Sequence, residues 1–291
     1  AGLVPADRPN REFRRMDIGT VLGTRQHRLQ TKRSVDRRRS GSGSAGAVRW
    51  GAATDVGRIR EQNEDAFAVR EDLGLFVVSD GMGGHAGGKV AAGTVVQALP
   101  LIVEKRFASR PVRSARAIKR RLDGAVRQLN RYLISRARKT AGCEDMGATV
   151  VCGLWVDGRV YVANLGDSRA YLLHSGRIRR LSLDHSVVHS LVLQGLIEPH
   201  EANSHPARGQ LIRYVGMEQE NAKPHVTSLT PKAGDCLLLC SDGLTDLVSD
   251  SQMAAILGEH ADPQAAAERL VRAANSAGGH DNITAMVMRG E

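Results

Sequence analysis

Two short segments that are apolar at every position constrain the fold more than any other feature. Residues 75–78 read LFVV and residues 236–240 read CLLLC, and both segments lead into Ser-Asp-Gly. A strand without a polar side has no face to offer to water, so its sheet must be covered by a second sheet on one face and by helices on the other. The two sites are far apart in the chain, so only the tertiary fold can bring Asp80 and Asp242 together.

Turn signals and helical periodicity predict the remaining elements. Within 150–182, β-favouring runs alternate with Asp157-Gly158, Gly166-Asp167 and Ser175-Gly176, which predicts a series of antiparallel hairpins. Three- and four-residue spacing of apolar residues, together with helix caps, predicts helices within 85–107, 111–134 and 262–279. We therefore predict an α+β fold, a four-layer α-β-β-α sandwich of two packed, mainly antiparallel sheets flanked by helices.

The net charge of +10 is concentrated at the start of the chain. Residues 1–47 hold eleven Lys or Arg against four Asp or Glu, which is +7 of the total, and they end in SGSGSAG without apolar periodicity. We predict a disordered basic arm and linker over 1–47 and one folded domain over 48–291. The arm can bind an acidic partner or be a solvated tail.

The sequence has neither an apolar run that could span a membrane nor a secretory signal, so we expect a cytoplasmic protein. Its four cysteines lack paired zinc-ligand spacing, and we expect buried free thiols.

Acidic residues stand at the ends or beginnings of predicted strands: Asp80, Asp242, Glu64, Asp65 and Asp281. Each alone is consistent with ordinary turn chemistry. If they converge, each pair about 4 Å apart repels by roughly 4 kcal/mol at an effective dielectric near 20. Divalent cations relieve such repulsion, and a ligand set made only of oxygens suits Mg²⁺ or Mn²⁺.

Eight motifs occur in order along residues 48–289: RIREQNEDAF, VVSDGMGGHAGG, MGATVV, ANLGDSRAYLL, DHSVVHSLVLQGLI, HPARGQLIRYVG, LLLCSDGLTDLV and GGHDNITAMVM. Their order and approximate spacing resemble those of the metal-dependent protein phosphatase 2C family in its compact bacterial form. The family fold, a central β-sandwich flanked by helices, agrees with the architecture that the strand patterns predict.

The resemblance implies hydrolysis of phosphoserine and phosphothreonine in phosphoproteins by a metal-bridging hydroxide, reversing a bacterial Ser/Thr kinase. It implies two or three Mn²⁺ or Mg²⁺ ions, held by Glu64, Asp65 (through waters), Asp80, the Gly81 carbonyl, Asp167, Asp242 and Asp281. Asp80 would bridge the two main ions, and Asp167 would help to hold a third, weaker one. Arg60, Asp80 and Asp242 would be the catalytic residues. Arg60 would also bind the phosphate, because a guanidinium fork matches a phosphate dianion.

Several points stay open at this stage. Asp167 can instead cap an ordinary hairpin turn. Met82 stands where eukaryotic relatives have histidine, so the leaving oxygen can take its proton from His85 or from a metal-bound water. Gly209 stands where the flap motif usually has asparagine, while His185 and His205 are expected to support the flap structurally.

Two rival functions also remain. One is another two-metal hydrolase acting on phosphodiesters, and the other is a pseudophosphatase that binds phosphoproteins without hydrolysis. We predict phosphoprotein substrates and a cognate kinase as partners, with no requirement for nucleic acid, no membrane span and a monomeric state.

Overall fold

The computed structural model describes residues 38–45, 48–83, 87–108, 114–218 and 222–290, with main chain alone for the first of these ranges. Two antiparallel sheets pack face to face, and helices cover the outer face of each. The predicted α+β sandwich is confirmed. Among the described residues, no helix is both long enough and apolar enough to cross a membrane.

The first sheet has six strands. In spatial order they are β1 (Arg38–Ala45), β2 (Val48–Asp55), β13 (Ile283–Gly290), β12 (Cys236–Cys240), β9 (Arg169–His174) and β10 (Arg177–Arg180). All neighbouring strands are antiparallel, and Leu238 of β12 pairs with Val287 on one side and Tyr171 on the other. Strand β12 is therefore interior to the sheet, as its apolar sequence requires.

The second sheet has five strands, also antiparallel throughout. In spatial order they are β11 (His225–Leu229), β8 (Arg159–Leu165), β7 (Val150–Val156), β4 (Leu75–Ser79) and β3 (Ala66–Arg70). A two-residue strand after β4, β5 (Gly81–Met82), pairs with β6 (Gly147–Ala148).

Helices form the two outer layers. Over the second sheet lie α1 (Gly87–Ala108) and α2 (Ala115–Ala137), and over the first lie α4 (Asp242–Thr245), α5 (Asp250–Glu259) and α6 (Pro263–Ser276). A short helix, α3 (Val187–Leu193), belongs to the loop region between β10 and β11. Helix α6 begins as predicted, with the Asp262 side chain accepting from Ala265 N and proline at the first position.

Alternation along the two apolar strands creates three layers of core. In β4, Leu75 and Val77 pack toward α1 and α2, whereas Phe76 and Val78 pack between the sheets. In β12, Leu237 and Leu239 pack between the sheets, and the alternate residues pack toward α4–α6. Every position is apolar because each strand is covered on both faces.

One predicted hairpin is wrong. The pairs β7–β8 and β9–β10 are hairpins, with positive φ at Asp157 and Ser175 in their turns, as the turn residues predict. The Gly166-Asp167 connection instead crosses from β8 in the five-stranded sheet to β9 in the six-stranded sheet. Because it passes between sheets, Asp167 cannot be a simple hairpin cap.

The start of the fold also differs from the prediction. Arg38–Ala45, expected to be linker, pairs along its whole length with β2 as an edge strand. Main-chain hydrogen bonds to an existing sheet edge do not require apolar side chains, so Gly/Ser composition did not reveal this strand. The expected disorder of residues 1–37 lies outside the described residues, and the division into arm and catalytic domain stays a prediction.

Candidate active site

The two Ser-Asp-Gly segments meet at one end of the sandwich. Strand β4 leads into Asp80 and β12 leads into Asp242, and repulsion from Asp242 contributes to the raised pKa of Asp80. Both aspartates lie in a cleft of about 850 Å³. The fold thus brings two acidic residues that are distant in the sequence to one cleft.

Most of the predicted site residues line this cleft: Arg60, Glu64, Asp80, Gly81, Asp167, Asp242 and Asp281. Asp65 is buried and is not among the lining residues. Gln62, Met82, Thr149, Gly209, Tyr214 and Asn282 also line the cleft.

Thr149 fixes the Asp80 strand end. Asp80 N donates to Thr149 Oγ1 at 3.0 Å, Thr149 N donates to Asp80 O at 2.8 Å, and Ser79 Oγ donates to Thr149 O at 2.7 Å. The Thr149 hydroxyl also lies 2.6 Å from Ser168 Oγ, next to Asp167. A single buried threonine therefore connects the main chain at Asp80 with the crossing that bears Asp167.

A buried hydroxyl network holds the Asp242 strand end. Asp65 Oδ2 accepts from Ser241 Oγ at 2.7 Å and from Thr284 Oγ1 at 2.6 Å, and Thr284 N donates to Ser241 Oγ at 2.9 Å. Asp65 Oδ1 has no hydrogen-bond partner among the described residues, although it is buried. Asp65 therefore lies behind Asp242 and is linked to it through the adjacent serine.

Asn282 holds the loop that carries Arg60 and Glu64. Its Nδ2 donates to Val56 O at 3.0 Å and to Gln62 O at 2.9 Å, while its Oδ1 accepts from Glu64 N at 2.8 Å. Asn282 N also donates to Asp281 Oδ1 at 2.8 Å. This side chain fixes the loop against the beginning of β13, so the acidic residues of two distant segments face one cleft.

Close main-chain approach brings Glu64 beside Gly81. A Cβ at Gly81 would overlap the main chain of Gly88 at the beginning of α1, and a Cβ at Gly88 would overlap Glu64 Oε2. Only glycine fits at both positions without displacement. The glycines after the first Ser-Asp thus create space for the Glu64 carboxylate next to the Gly81 main chain.

Arg60 lies on the rim of the cleft. Its Nη2 donates to Asp281 Oδ2 at 2.8 Å, and the two side chains are 55% and 38% exposed. Its other nitrogens have no acceptor in the described part of the chain.

The pKa values of the carboxyls report their crowding. Burial, followed by repulsion from Asp65 and Asp242, raises the pKa of Asp80 well above its ordinary value. Burial and then repulsion from Asp246 and Asp281 raise the pKa of Asp242 to about 6. Burial raises the pKa of Asp65 to about 7 against its two hydroxyl donors. Burial and repulsion from Asp242 also raise the pKa of Asp167. The cleft therefore gathers carboxyl groups whose simultaneous ionisation is unfavourable without a bound cation.

The donor set fits hard divalent cations. Its side chains offer only oxygen, and the buried Oδ1 atoms of Asp65 and Asp242 lack hydrogen-bond partners among the described residues. Within the same residues, no three His, Cys, Asp or Glu side chains are gathered tightly enough to hold an ion as they stand.

The flap residues have structural partners. His185 Nδ1 accepts from Gly166 N at 3.2 Å, next to Asp167, and His205 Nδ1 accepts from Ala207 N at 3.1 Å. Gly209 has φ of +77°, a left-handed conformation that asparagine also tolerates better than most residues. Glycine in place of the usual asparagine therefore preserves the turn at position 209. His85 lies outside the described residues.

Sequence reasoning missed the residues that position the acids. Thr149, Ser241, Thr284 and Asn282 were not selected as candidates. The serine before each aspartate and the Asn282 that follows Asp281 were visible signals, but the partners of these side chains lie 43 to 226 residues away and depend on the fold.

Comparison with known proteins identifies the family. The family model described as "Protein phosphatase 2C" matches residues 58–275. The "Serine/threonine phosphatase stp" of Listeria welshimeri is 36% identical over 240 residues, which are 81% of this chain and 93% of that protein.

Solved structures agree with this assignment. The crystal structure of the Mycobacterium tuberculosis serine/threonine phosphatase PstP/Ppp has a TM-score of 0.74 and 36% identity, covering 84% of this chain and 99% of that one. The catalytic domain of PstP in complex with 2 manganese ions has a TM-score of 0.71 and 33% identity, covering 83% and 97%.

The chain belongs to the protein phosphatase 2C family. The predicted resemblance and the predicted enzyme class, protein-serine/threonine phosphatase, are both confirmed.

Proposed function

We propose that the chain dephosphorylates phosphoserine and phosphothreonine in phosphoproteins modified by a bacterial Ser/Thr kinase, in one hydrolytic step without a phosphoenzyme. The observation that carries the proposal is the convergence of Asp80 and Asp242 in one cleft with Arg60 on its rim. Such a cleft combines an anionic floor suited to cations with a guanidinium suited to phosphate.

The proposed cation ligands are the acidic residues of the cleft and one carbonyl. Asp80, the Gly81 carbonyl, Asp242, Asp281 and Glu64 would hold two Mn²⁺ or Mg²⁺ ions, Asp65 would act through water, and Asp167 would help to hold a third. When bound, these cations neutralise the carboxylates and activate water and phosphate as Lewis acids. The two orphaned carboxylate oxygens support this assignment.

Arg60 is proposed to bind the phosphate. It is exposed on the rim, and its single described acceptor is Asp281, so the remaining guanidinium donors can engage phosphate oxygens. A guanidinium stays charged at any physiological pH and stabilises the charge of a phosphoryl group in transfer. A cation at Asp281 and a phosphate at Arg60 would replace the ion pair between them.

The proton for the leaving oxygen is proposed to come from water. None of the described residues that line the cleft is a histidine, and His85 stays an alternative outside those residues. The cognate kinase, the cytoplasmic location and the monomeric state also stay predictions. Phosphate release from a phosphorylated substrate would distinguish this enzyme from the pseudophosphatase alternative.

The test is phosphate release from a phosphothreonine peptide and from an aryl phosphate, with Mn²⁺ or with excess EDTA. We expect turnover only with the cation. Arg60→Ala should lower kcat/KM about ten- to a hundredfold, the loss of one charge-assisted contact. Arg58→Ala, an exposed neighbour outside the cleft lining, is the matched control and should retain activity. Undiminished turnover in EDTA would refute the proposal.

A further inference from the structure

A line of arginines follows the outer face of α2. Its members, called here the arginine stripe, are Arg116, Arg120, Arg127, Arg131 and Arg138. Spacings of four and seven residues place them on one side of a helix. At 1.5 Å per residue, the stripe is about 33 Å long. The opposite side of α2, which includes Leu122 and Leu129, is buried in the core.

Most of the stripe is uncompensated. Arg116, Arg120 and Arg131 are exposed, and none forms an ion pair with an acidic residue in the described part of the chain. Arg127 Nε lies 2.8 Å from Asp123 Oδ2. Arg138 Nη2 lies 2.6 Å from Glu218 Oε1, but both side chains are about 70% exposed, and such surface pairs are weak.

The stripe works against the stability of its own helix. Arg116 and Arg120 are like charges at i and i+4, as are Arg127 and Arg131, and such pairs destabilise a helix. The first turn of α2 has no acidic residue to complement the helix dipole. Burial, and then repulsion from Arg131, lowers the pKa of Arg106. The like-charge pairs therefore cost helix stability, and a bound anion would offset that cost.

The chemistry of the stripe selects among anionic partners. The exposed large apolar residues of the described chain are Ile59, Leu193, Leu196 and Ile212, and none belongs to α2. The surface thus lacks the apolar side chains that anchor a helix in a bilayer and the exposed aromatic rings on which bases stack. Arginine forks pair with carboxylates and phosphates. An acidic polypeptide suits these properties.

The stripe is connected to the cleft at its C-terminal half. Asn130 of α2 donates to Met217 O at 3.3 Å and accepts from Gly216 N at 2.7 Å. Arg138 pairs with Glu218 in the same segment. This segment follows Tyr214, which lines the cleft. The C-terminal end of the stripe, at Arg138, therefore lies beside a segment that begins at the cleft.

We propose that the arginine stripe binds an acidic segment of the phosphoprotein substrate, to one side of the phosphorylated residue. This inference rests on the proposed function and specifies its substrate class. An extended chain advances about 3.3 Å per residue, so about ten residues match the length of the stripe.

The experiment compares two triple variants. Arg116→Gln/Arg120→Gln/Arg131→Gln removes the unpaired charges of the stripe. Arg177→Gln/Arg179→Gln/Arg269→Gln removes the same charge elsewhere and is the matched control. Its exposed positions lie on β10, an edge strand of the six-stranded sheet, and on α6, which covers that sheet. A fluorescent ten-residue acidic peptide without phosphate reports binding by anisotropy. A phosphothreonine peptide, alone or with the acidic segment before or after it, reports kcat/KM.

We expect the acidic segment on one side to raise kcat/KM about tenfold in wild type at low salt, and added salt to reduce the gain. The stripe variant should lose both this gain and the affinity for the fluorescent peptide, while the control variant keeps both. Aryl phosphate turnover should be equal in all three proteins. If none of the three proteins hydrolyses the aryl phosphate, that result counts against the proposed function alone, since peptide binding needs no turnover.

Equal binding of the acidic peptide by the two triple variants would overturn the inference. So would tighter, stripe-dependent binding of a DNA duplex or of phosphatidylserine vesicles in the same titrations, which would assign the surface to nucleic acid or to membrane.

Discussion

The two Ser-Asp-Gly segments end strands of facing sheets, yet their serines hold different partners. Ser79 donates to a main-chain carbonyl, that of Thr149, whereas Ser241 donates to the buried carboxylate of Asp65. After Asp80 the chain continues as the short strand β5, and after Ser241 it turns into α4. The same tripeptide is thus fixed by the neutral groups of Thr149 at one strand end and by an ionisable side chain at the other.

This difference has consequences for stability. The Asp80 end depends on neutral hydrogen bonds, whose net contribution is modest. The Asp242 end depends on a buried acid, whose environment changes with pH and with bound cations. The two strand ends should therefore be equivalent in catalysis but unequal in stability, and mutations can separate the two properties.

The largest expected effect is common to both ends. Asp80→Asn and Asp242→Asn should each lower kcat for a phosphothreonine peptide by about 10³-fold or more, since each removes a charge that positions the reacting groups. Both variants should fold, and the metal-free forms should melt at or above the wild-type temperature because a like-charge repulsion is removed. A variant that keeps a tenth of wild-type turnover would exclude that aspartate from the machinery.

The second-largest expected effect distinguishes the two strand ends. At a pH above the pKa of Asp65, Ser241→Ala should destabilise the metal-free protein by about 1.5–3 kcal/mol, as for hydrogen bonds to charged groups, and Ser79→Ala by about 1 kcal/mol. Urea unfolding measures both. Ser204→Ala, at an exposed position, is the control and should stay within about 0.5 kcal/mol of wild type. Equal losses of unfolding free energy in Ser79→Ala and Ser241→Ala would contradict the proposed difference in stability between the two strand ends.

A pH effect should follow from the same region. The pKa values of Asp242 and Asp65 are raised to about 6 and about 7 from an ordinary 3.8, so the folded protein binds their protons more tightly than the unfolded chain. Their contribution to stability is intact below 3.8 and is lost as the pH rises through 6 and 7. In EDTA, wild type should melt a few degrees lower at pH 7.5 than at pH 5.

Asp242→Asn tests the origin of this slope. The variant lacks one of the raised carboxyls, so its melting temperature should depend less on pH over the same range. A slope as steep as that of wild type would assign the effect to other groups.

The layers of the fold were predictable because the apolar runs in β4 and β12 have no polar face, which indicates burial on both faces. The turns at Asp157 and Ser175 were predictable because their dipeptides favour positive φ. The Gly166-Asp167 connection has the same composition, and only strand pairing shows that it crosses between the sheets.

The site residues also divide into those that the sequence identifies and those whose role only the fold reveals. Residues of distinctive type at strand ends, such as Asp80 and Asp281, could be selected from the sequence. Thr149 and Asn282 could not, because an uncharged polar residue has no recognisable role until its partners are known. Asp65 was selected as an acid, but its burial behind Ser241 is a property of tertiary packing.

The smallest expected effect concerns the crossing between the sheets. Asp167→Asn should keep the fold and lower turnover severalfold at limiting Mn²⁺, with a higher Mn²⁺ concentration needed for half-maximal rate, because ligand charge sets cation affinity. Asp157→Asn, in the β7–β8 turn, is the control and should follow the wild-type curve. Superimposable curves for Asp167→Asn and wild type would rule out a cation role.

The most direct test of the account is a count of Mn²⁺ bound by the metal-free protein, with free ion measured by electron paramagnetic resonance. The account predicts at least two tightly bound ions per wild-type chain, as in two-metal hydrolases. It predicts loss of at least one ion in both Asp80→Asn and Asp242→Asn, and retention of both in Asp157→Asn. Equal counts in wild type and in both strand-end variants, or no tight binding to wild type, would contradict the claim that these two strand ends form a cation site.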